Sequence, residues 1–217
     1  MNSKVIKFFE DEVLRERIKD KLPHLFSIAE LESSRAGKIG MEVGSTREKI
    51  LIALLIYKFG VRNVETQIPI TETEVDVRLF EHPVSIKTIT GSGGVKVIWT
   101  VDAPKALEFF NSYTPSCEIL LAQIKWDLKE TDFQKGVHPG GLFLIPVETQ
   151  RRVLRQIGKE KYLKLPKVGT NPRGVEISKD GLMMLLHDKG TKCIEIIWRH
   201  SKMEYNPYKR WVDYWKE

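Results

Sequence analysis

The sequence predicts an α/β protein in which a mixed central β-sheet is flanked by helices. Three observations predict it. Residues 64–101 carry successive short runs of alternating apolar and polar side chains, the period of strands. Cys117 to Trp126 is nearly all apolar, which marks a strand covered on both faces. Helical patterns precede, interrupt and follow these runs, an order that layers helices on a sheet.

Taken in order, Lys4 to Lys21 reads as an amphipathic helix, with Val5, Phe8, Phe9, Val13, Leu14 and Ile18 at helical spacing and Pro23 marking its end. Ser27 to Ala36 reads as a second, shorter helix. Gly37, Gly40 and Gly44 make residues 37–44 a loop. Ser45 or Thr46 is expected to cap a helix from Arg47 to Phe59, buried because Ile50 to Tyr57 is almost wholly apolar, and closed by Gly60. Strands are expected at Val64 to Ile70, Thr73 to Phe80, Val84 to Thr90 and Val95 to Val101. Ala103 to Tyr113 is a helix with Pro104 in its first turn. After the apolar strand come a strand at Gly141 to Pro146, a helix from Val147 to about Ile157, and a proline-rich loop around Leu165 to Gly174. A helix at Lys179 to Asp188, a strand at Lys192 to Trp198, and an aromatic tail, helical after Pro207, complete the chain.

At 217 residues, 41% hydrophobic and 29% charged, the chain suits one domain with its own core over residues 1–217. A net charge of +6 favours a polyanionic partner over an acidic or neutral ligand. The two cysteines, Cys117 and Cys193, sit in apolar strand-like runs, so reduced buried thiols are expected. No Cys/His cluster has zinc spacing. Met1-Asn2-Ser3-Lys4 leads into a charged amphipathic stretch rather than a signal peptide, and no apolar run approaches the roughly 20 residues that span a bilayer. The expectation is a soluble cytoplasmic protein with no membrane partner.

The chemistry concentrates in Glu74-Val75-Asp76-Val77-Arg78-Leu79 and Val84-Ser85-Ile86-Lys87-Thr88-Ile89, joined by Phe80-Glu81-His82-Pro83 as an antiparallel hairpin. Alternation puts Val75, Val77 and Leu79 on one face and Asp76 and Arg78 on the other, while Lys87 interrupts an apolar strand. Asp76 suits Mg²⁺, a hard cation that prefers carboxylate oxygen. Such a metal lowers the pKa of an attacking water, and Lys87 would orient that water and stabilise charge on a phosphorane-like transition state. The plainer account of the same spacing is a cross-strand Asp–Lys pair on a solvated face.

Asp76, a short hairpin and then Ser85-Ile86-Lys87 resembles the PD-(D/E)XK nuclease core of type II restriction endonucleases. The family has an acid two residues before the lysine, and here that position is Ser85. Some members take the acid from the preceding helix, where this chain has Glu48, in a first turn whose dipole favours an anion. The resemblance therefore implies a restriction-endonuclease-like fold, a catalytic triad of Glu48, Asp76 and Lys87, and metal ligation by Asp76, Glu48 and the Ile86 carbonyl. It extends through Thr88, Thr90, the Gly91-Ser92-Gly93-Gly94 bend and Lys96, and so covers a core of about 45–125, with Ser85, Thr88 and Lys96 near DNA. The N-terminal helices and the C-terminal part would serve DNA binding and dimerisation. Over the whole chain the resemblance is to a restriction enzyme for CGCG. That implies a homodimer cutting this short palindrome in double-stranded DNA to blunt ends.

Asp127-Leu128-Lys129 also fits (D/E)XK literally, but no hairpin with a partner Asp precedes it, and it is taken as incidental. In the glycine loop, Lys38 and Arg47 supply charge for phosphates. Met41 either wedges between base steps from the minor groove or tucks back onto the protein. The C-terminal third is basic, and the loops His138-Pro139-Gly140-Gly141 and Gly169 to Gly174 carry donors suited to base edges or to solvent. Two further functions fit the same residues: a repair or junction-cleaving nuclease of this fold, and a sequence-specific DNA-binding protein without catalysis.

Overall fold

The computed structural model describes residues 3–35, 38–40, 42–100, 102–166, 174–202 and 204–216. In chain order the elements are α1 (Ser3–Glu10), α2 (Glu12–Glu32), β1 (Ser34–Arg35), β2 (Lys38–Ile39), α3 (Val43–Phe59), β3 (Val64–Glu65), β4 (Val77–Leu79), β5 (His82–Thr90) and β6 (Val95–Lys96). They continue with α4 (Ala103–Ser112), β7 (Glu118–Ile124), α5 (Glu130–Gln134), β8 (Gly141–Ile145), α6 (Val147–Ile157), α7 (Lys159–Tyr162), β9 (Leu163–Lys164), β10 (Glu176–Ile177), α8 (Lys179–His187), β11 (Lys192–Glu195) and α9 (Lys209–Tyr214). A six-stranded sheet of order β11-β8-β7-β5-β4-β3 forms the centre. Only β5 and β7 pair in parallel within it, so the sheet is mixed, as the sequence predicts.

Alternation along β7 and β8 divides the interior into two layers. Leu120, Ala122, Ile124, Leu142 and Leu144 face one core with α1, α2 and α3. Ile119, Leu121, Phe143 and Ile145 face the other with α4, α6, α7 and α8. Every residue of β7 is buried, which bears out its reading as a central strand. Fully burying each large aliphatic or aromatic side chain in such a layer contributes about 1.5–3 kcal/mol. Trp198, 1% exposed, closes the first core by stacking on Phe26 at 5.5 Å between centroids.

Several boundaries depart from the sequence pattern. The N-terminal helix breaks at Asp11, whose Oδ1 accepts from Leu14 N at 3.0 Å and caps α2. Helix α2 then runs through Pro23 without stopping, because Leu22, Pro23, Phe26, Ser27 and Ala29 are all buried along it. The packing outweighs the one backbone bond that proline removes. In place of the expected end of a second helix, β1 and β2 pair antiparallel. Helix α3 starts at Val43, so Ser45 and Thr46 lie inside it and neither caps it. It is buried on one stripe only, at Arg47, Leu51 and Leu55, and Tyr57 stands 62% exposed. The strands expected at 64–70 and 73–80 shorten to β3 and β4.

The hairpin turn is two residues long. Leu79 pairs with His82, and Phe80 and Glu81 have φ of 50° and 70°, the primed-turn geometry that matches strand twist. These are unusual residues for positive φ. Phe80 is anchored by its N–H on Asn63 O at 2.9 Å and by an edge contact to Phe59 at 5.3 Å. Beyond β5 the glycine bend turns the chain out of the main sheet, and β6 joins β10 and β9 in a small antiparallel sheet. Gly94 permits this, because a Cβ there would lie 2.4 Å from the Ile177 carbonyl oxygen. The strand after α8 ends at Glu195, short of Trp198.

Candidate active site

Strand β4 is three residues long and β5 is nine, so β5 runs on past its neighbour with an open edge. Asp76 lies at that step, its N–H bonded to Val84 O at 3.0 Å. Its Oδ2 accepts from the Ile86 N–H at 2.6 Å, the Lys87 ammonium at 2.8 Å and the Ser85 hydroxyl at 3.1 Å. The carboxylate thus takes over the ladder position that β4 no longer fills. In an extended strand the N–H and C=O of one residue point to the same edge, so the Ile86 carbonyl also faces the Asp76 side. Ser85 and Lys87 share one face, and the buried Val84 and Ile86 share the other.

Glu48 reaches this edge from the opposite layer, one turn into α3. Burial pushes its carboxyl up to about 7, with Lys87 pulling it down and Asp76 pushing it further up. Glu48 therefore senses both other members of the expected triad. The oxygen sources at this edge are the Asp76 carboxylate and the Ile86 carbonyl, and the Glu48 carboxyl lies within electrostatic reach of Asp76 and Lys87. This is a donor set suited to Mg²⁺, which binds through one or two carboxylates and keeps several waters. Among the described residues no group of three or more His, Cys, Asp or Glu side chains is placed to hold a metal alone.

Sequence reasoning missed Glu74. Its carboxyl is also pushed up to about 7 by burial and drawn down by Lys87, without a contribution from Asp76. Glu74 and Lys87 line a cavity of about 10 Å³ with Ser85 and Lys96, room for about one water. No local pattern marks it: residues 73–74 form a turn, with Val75 N–H on Glu72 O at 3.1 Å, so strand alternation does not place Glu74 relative to Asp76.

The raised acids have a measurable consequence. Unfolded, both ionise near 4.5; folded, they hold their protons to about 7. Across that window the folded state binds more protons, so their contribution to stability falls as pH rises. Metal-free protein should lose more stability between pH 4.5 and 7 than a Glu48→Gln variant, in urea unfolding with EDTA present.

The other expected site residues separate. Arg47 does not face solvent, as a phosphate contact would require. It is 4% exposed, ion-paired to Glu30, donates to Thr90 Oγ1 at 3.1 Å and lies over the Phe26 ring. Removing one partner of such a buried pair costs about 3–5 kcal/mol. Ser85, 4% exposed, is spent on Asp76. Thr88 is half-buried on β5. Lys96 lies over the exposed Trp99 ring at 3.6 Å. Lys38 falls on β2 opposite Arg35. Met41 lies outside the described residues, as does most of the Gly169 to Gly174 loop.

Asp127-Leu128-Lys129 is no second centre: Asp127 pairs with His200, and Lys129 stands at the N-cap just before α5, its N–H on Asp132 Oδ2 at 2.8 Å. The His138 loop is shaped for packing. Gly140 has φ of 85°, and a Cβ there would meet Gln123 O at 2.4 Å. Both cysteines are free, and burial pushes each thiol up to about 12. Among the described residues no helix is long and apolar enough to cross a membrane.

A family model described as "Restriction endonuclease ThaI" matches residues 8–217. A solved structure, "Restriction endonuclease in complex with substrate DNA", is 50% identical in sequence and superposes with a TM-score of 0.86, covering 98% of this chain and 99% of its own. No curated protein matches the sequence.

Proposed function

The chain belongs to the ThaI restriction endonuclease family, and from that premise we propose that Asp76, Glu48 and Lys87 are the hydrolytic centre of a Mg²⁺-dependent enzyme cutting double-stranded DNA at CGCG to blunt ends. The enzyme is a type II site-specific deoxyribonuclease. One observation carries the site: the Asp76 carboxylate is gripped by Ile86 N–H, Lys87 and Ser85 at the open edge of β5, while Glu48 senses it from the other layer.

Asp76 and Glu48 would hold Mg²⁺ with the Ile86 carbonyl, and the ion would supply Lewis-acid polarisation of a phosphate oxygen and a water of lowered pKa. The side chains set the geometry. Ser85, which departs from the family's acid, holds Asp76 rather than a cation. Lys87, tethered to Asp76 at 2.8 Å, aims an ammonium at the water and at the charge that grows on the phosphorus oxygens. Glu48 and Glu74 both interact electrostatically with that ammonium.

The pseudo-twofold symmetry of a palindrome is matched by a homodimer, each copy cutting one strand. Residues 1–217 act as one endonuclease domain in the cytoplasm. Lys38, Lys96, Thr88 and Met41 are assigned to DNA contact, with Met41 entering the base stack. Arg47 is withdrawn from that set.

Supercoiled plasmid incubated with the protein and Mg²⁺ tests the proposal. Discrete fragments ending in CG on both sides, none of them formed in EDTA, are expected. In the same assay Met41→Ala should weaken binding to CGCG duplex more than to unrelated duplex. Fragments with staggered ends or another terminal sequence would remove the site assignment, and sedimentation as a monomer on cognate DNA would remove the dimer.

A further inference from the structure

Two carboxylates compete for one imidazole at the end of β7. His200 Nδ1 lies against Asp127 Oδ2 at 2.5 Å, and His200 Nε2 against Glu30 Oε2 at 3.1 Å. A neutral imidazole has one N–H and can serve only one of these acceptors; an imidazolium serves both. The ring also stacks on Trp126 at 4.2 Å, and Trp126 Nε1 donates to Glu30 Oε1 at 2.6 Å. Glu30 passes the connection on to Arg47, and Arg47 to Thr90 at the end of β5. The chain of contacts joins α2, the turn after β7, the segment after β11, α3 and β5. It ends on the residue next to Glu48 and three residues beyond Lys87.

We propose that His200, held as an imidazolium between Asp127 and Glu30, is a positioning residue that fixes the start of α3 on the end of β5 and thereby sets Glu48 against Asp76. The role rests on Glu48 as a metal-binding acid. It also accounts for Asp127, the acid of the stray (D/E)XK match, as the residue that orients His200. The Glu30–Arg47 pair does not stand alone, because Glu30 meets three groups at once: Arg47, Trp126 and His200. The charged groups facing the ring are Glu30 from α2 and Asp127 from the turn after β7. Arg47 from α3 stands behind Glu30, and Arg199 is next to His200 on its own segment and acts on Asp127.

The test uses the full-length protein, with His200→Gln, Asp127→Asn, Glu48→Gln and the His200→Gln/Glu48→Gln double variant. Nitrogen-15 NMR of the parent should find protons on both His200 ring nitrogens at pH 7. Mn²⁺ titration followed by the electron paramagnetic resonance of the free ion should show weaker binding in His200→Gln than in the parent. Single-turnover cleavage should fall about 10²-fold, the scale of a misplaced reacting group, with a smaller fall in the same direction for the exposed Asp127→Asn. In the double variant the His200 change should add nothing to the loss from Glu48→Gln. A purely structural His200 would instead give additive losses with parental Mn²⁺ affinity, and that overturns the positioning role. An inactive Glu48→Gln beside a fully active His200→Gln also overturns that role and leaves Glu48 in place. A Glu48→Gln enzyme that cuts at the parental rate removes the Glu48 assignment and this proposal together. Should His200→Gln fail to fold, Asp127→Asn read against Glu48→Gln decides by the same criteria.

Discussion

Asp76→Ala should lower the single-turnover cleavage rate of a CGCG duplex at least about 10³-fold at saturating Mg²⁺. The figure follows from two losses at one position. The carboxylate is the hub that receives Lys87, Ser85 and the Ile86 N–H, so its removal frees the lysine and exposes an unfilled strand edge. It also removes a metal donor, and Lewis-acid stabilisation of the transition state is worth several kcal/mol, with each 1.36 kcal/mol a factor of ten in rate. Binding should behave otherwise. Asp76 repels phosphate in metal-free protein, so Asp76→Ala should bind duplex in EDTA at least as tightly as the parent. Rapid-quench cleavage and fluorescence anisotropy separate the two. A variant that cuts within about tenfold of the parent would move the centre away from this hairpin.

The second large effect distinguishes the two acids that flank Lys87. Both carboxyls are pushed up to about 7, yet Asp76 contributes to the shift of Glu48 and not to that of Glu74. A metal ligand shared with Asp76 must feel Asp76. Glu48→Gln should therefore cost about 10²–10³-fold in rate, the loss of one preorganised electrostatic group. It should also raise the Mg²⁺ concentration at half-maximal rate. Glu74→Gln should leave the Mg²⁺ dependence where it was and slow cleavage by about tenfold or less, through Lys87 alone. Reversed behaviour would assign the second ligand to Glu74, two residues from Asp76 on the same segment. Parallel Mg²⁺ titrations of the two variants decide it.

How much of this was legible beforehand depended on the range of the interaction. The hairpin, its facing pattern and the central place of β7 follow from period and from the short link between two alternating runs, which act over a few residues. Glu48 came from resemblance, not from any local pattern; its carboxyl feels the charges of both Lys87 and Asp76. Arg47 was misread because a basic side chain beside a glycine loop looks solvated. Its partner, Glu30, lies on another helix, and no local pattern announces a buried ion pair between helices. Pro23 misled for a similar reason: a breaker rule speaks for isolated helices, whereas α2 is held by the core it packs on. The short length of β4 was also invisible. It is fixed by Asp76 replacing a backbone partner, a choice that alternation alone does not register.

Phe26 and Trp198 meet in the first core although they stand near opposite ends of the chain. That contact bears on when the enzyme becomes dangerous to its own cell. All the residues proposed for cleavage have left the ribosome long before Trp198 emerges. Until it does, α2 lacks part of the surface on which it packs, and Arg47 lacks a settled Glu30. A nascent or truncated chain thus carries every cutting side chain without the framework that aligns them. Such a chain should bind nucleic acid by charge while leaving it intact, and full activity should arrive only with the last stretch of polypeptide.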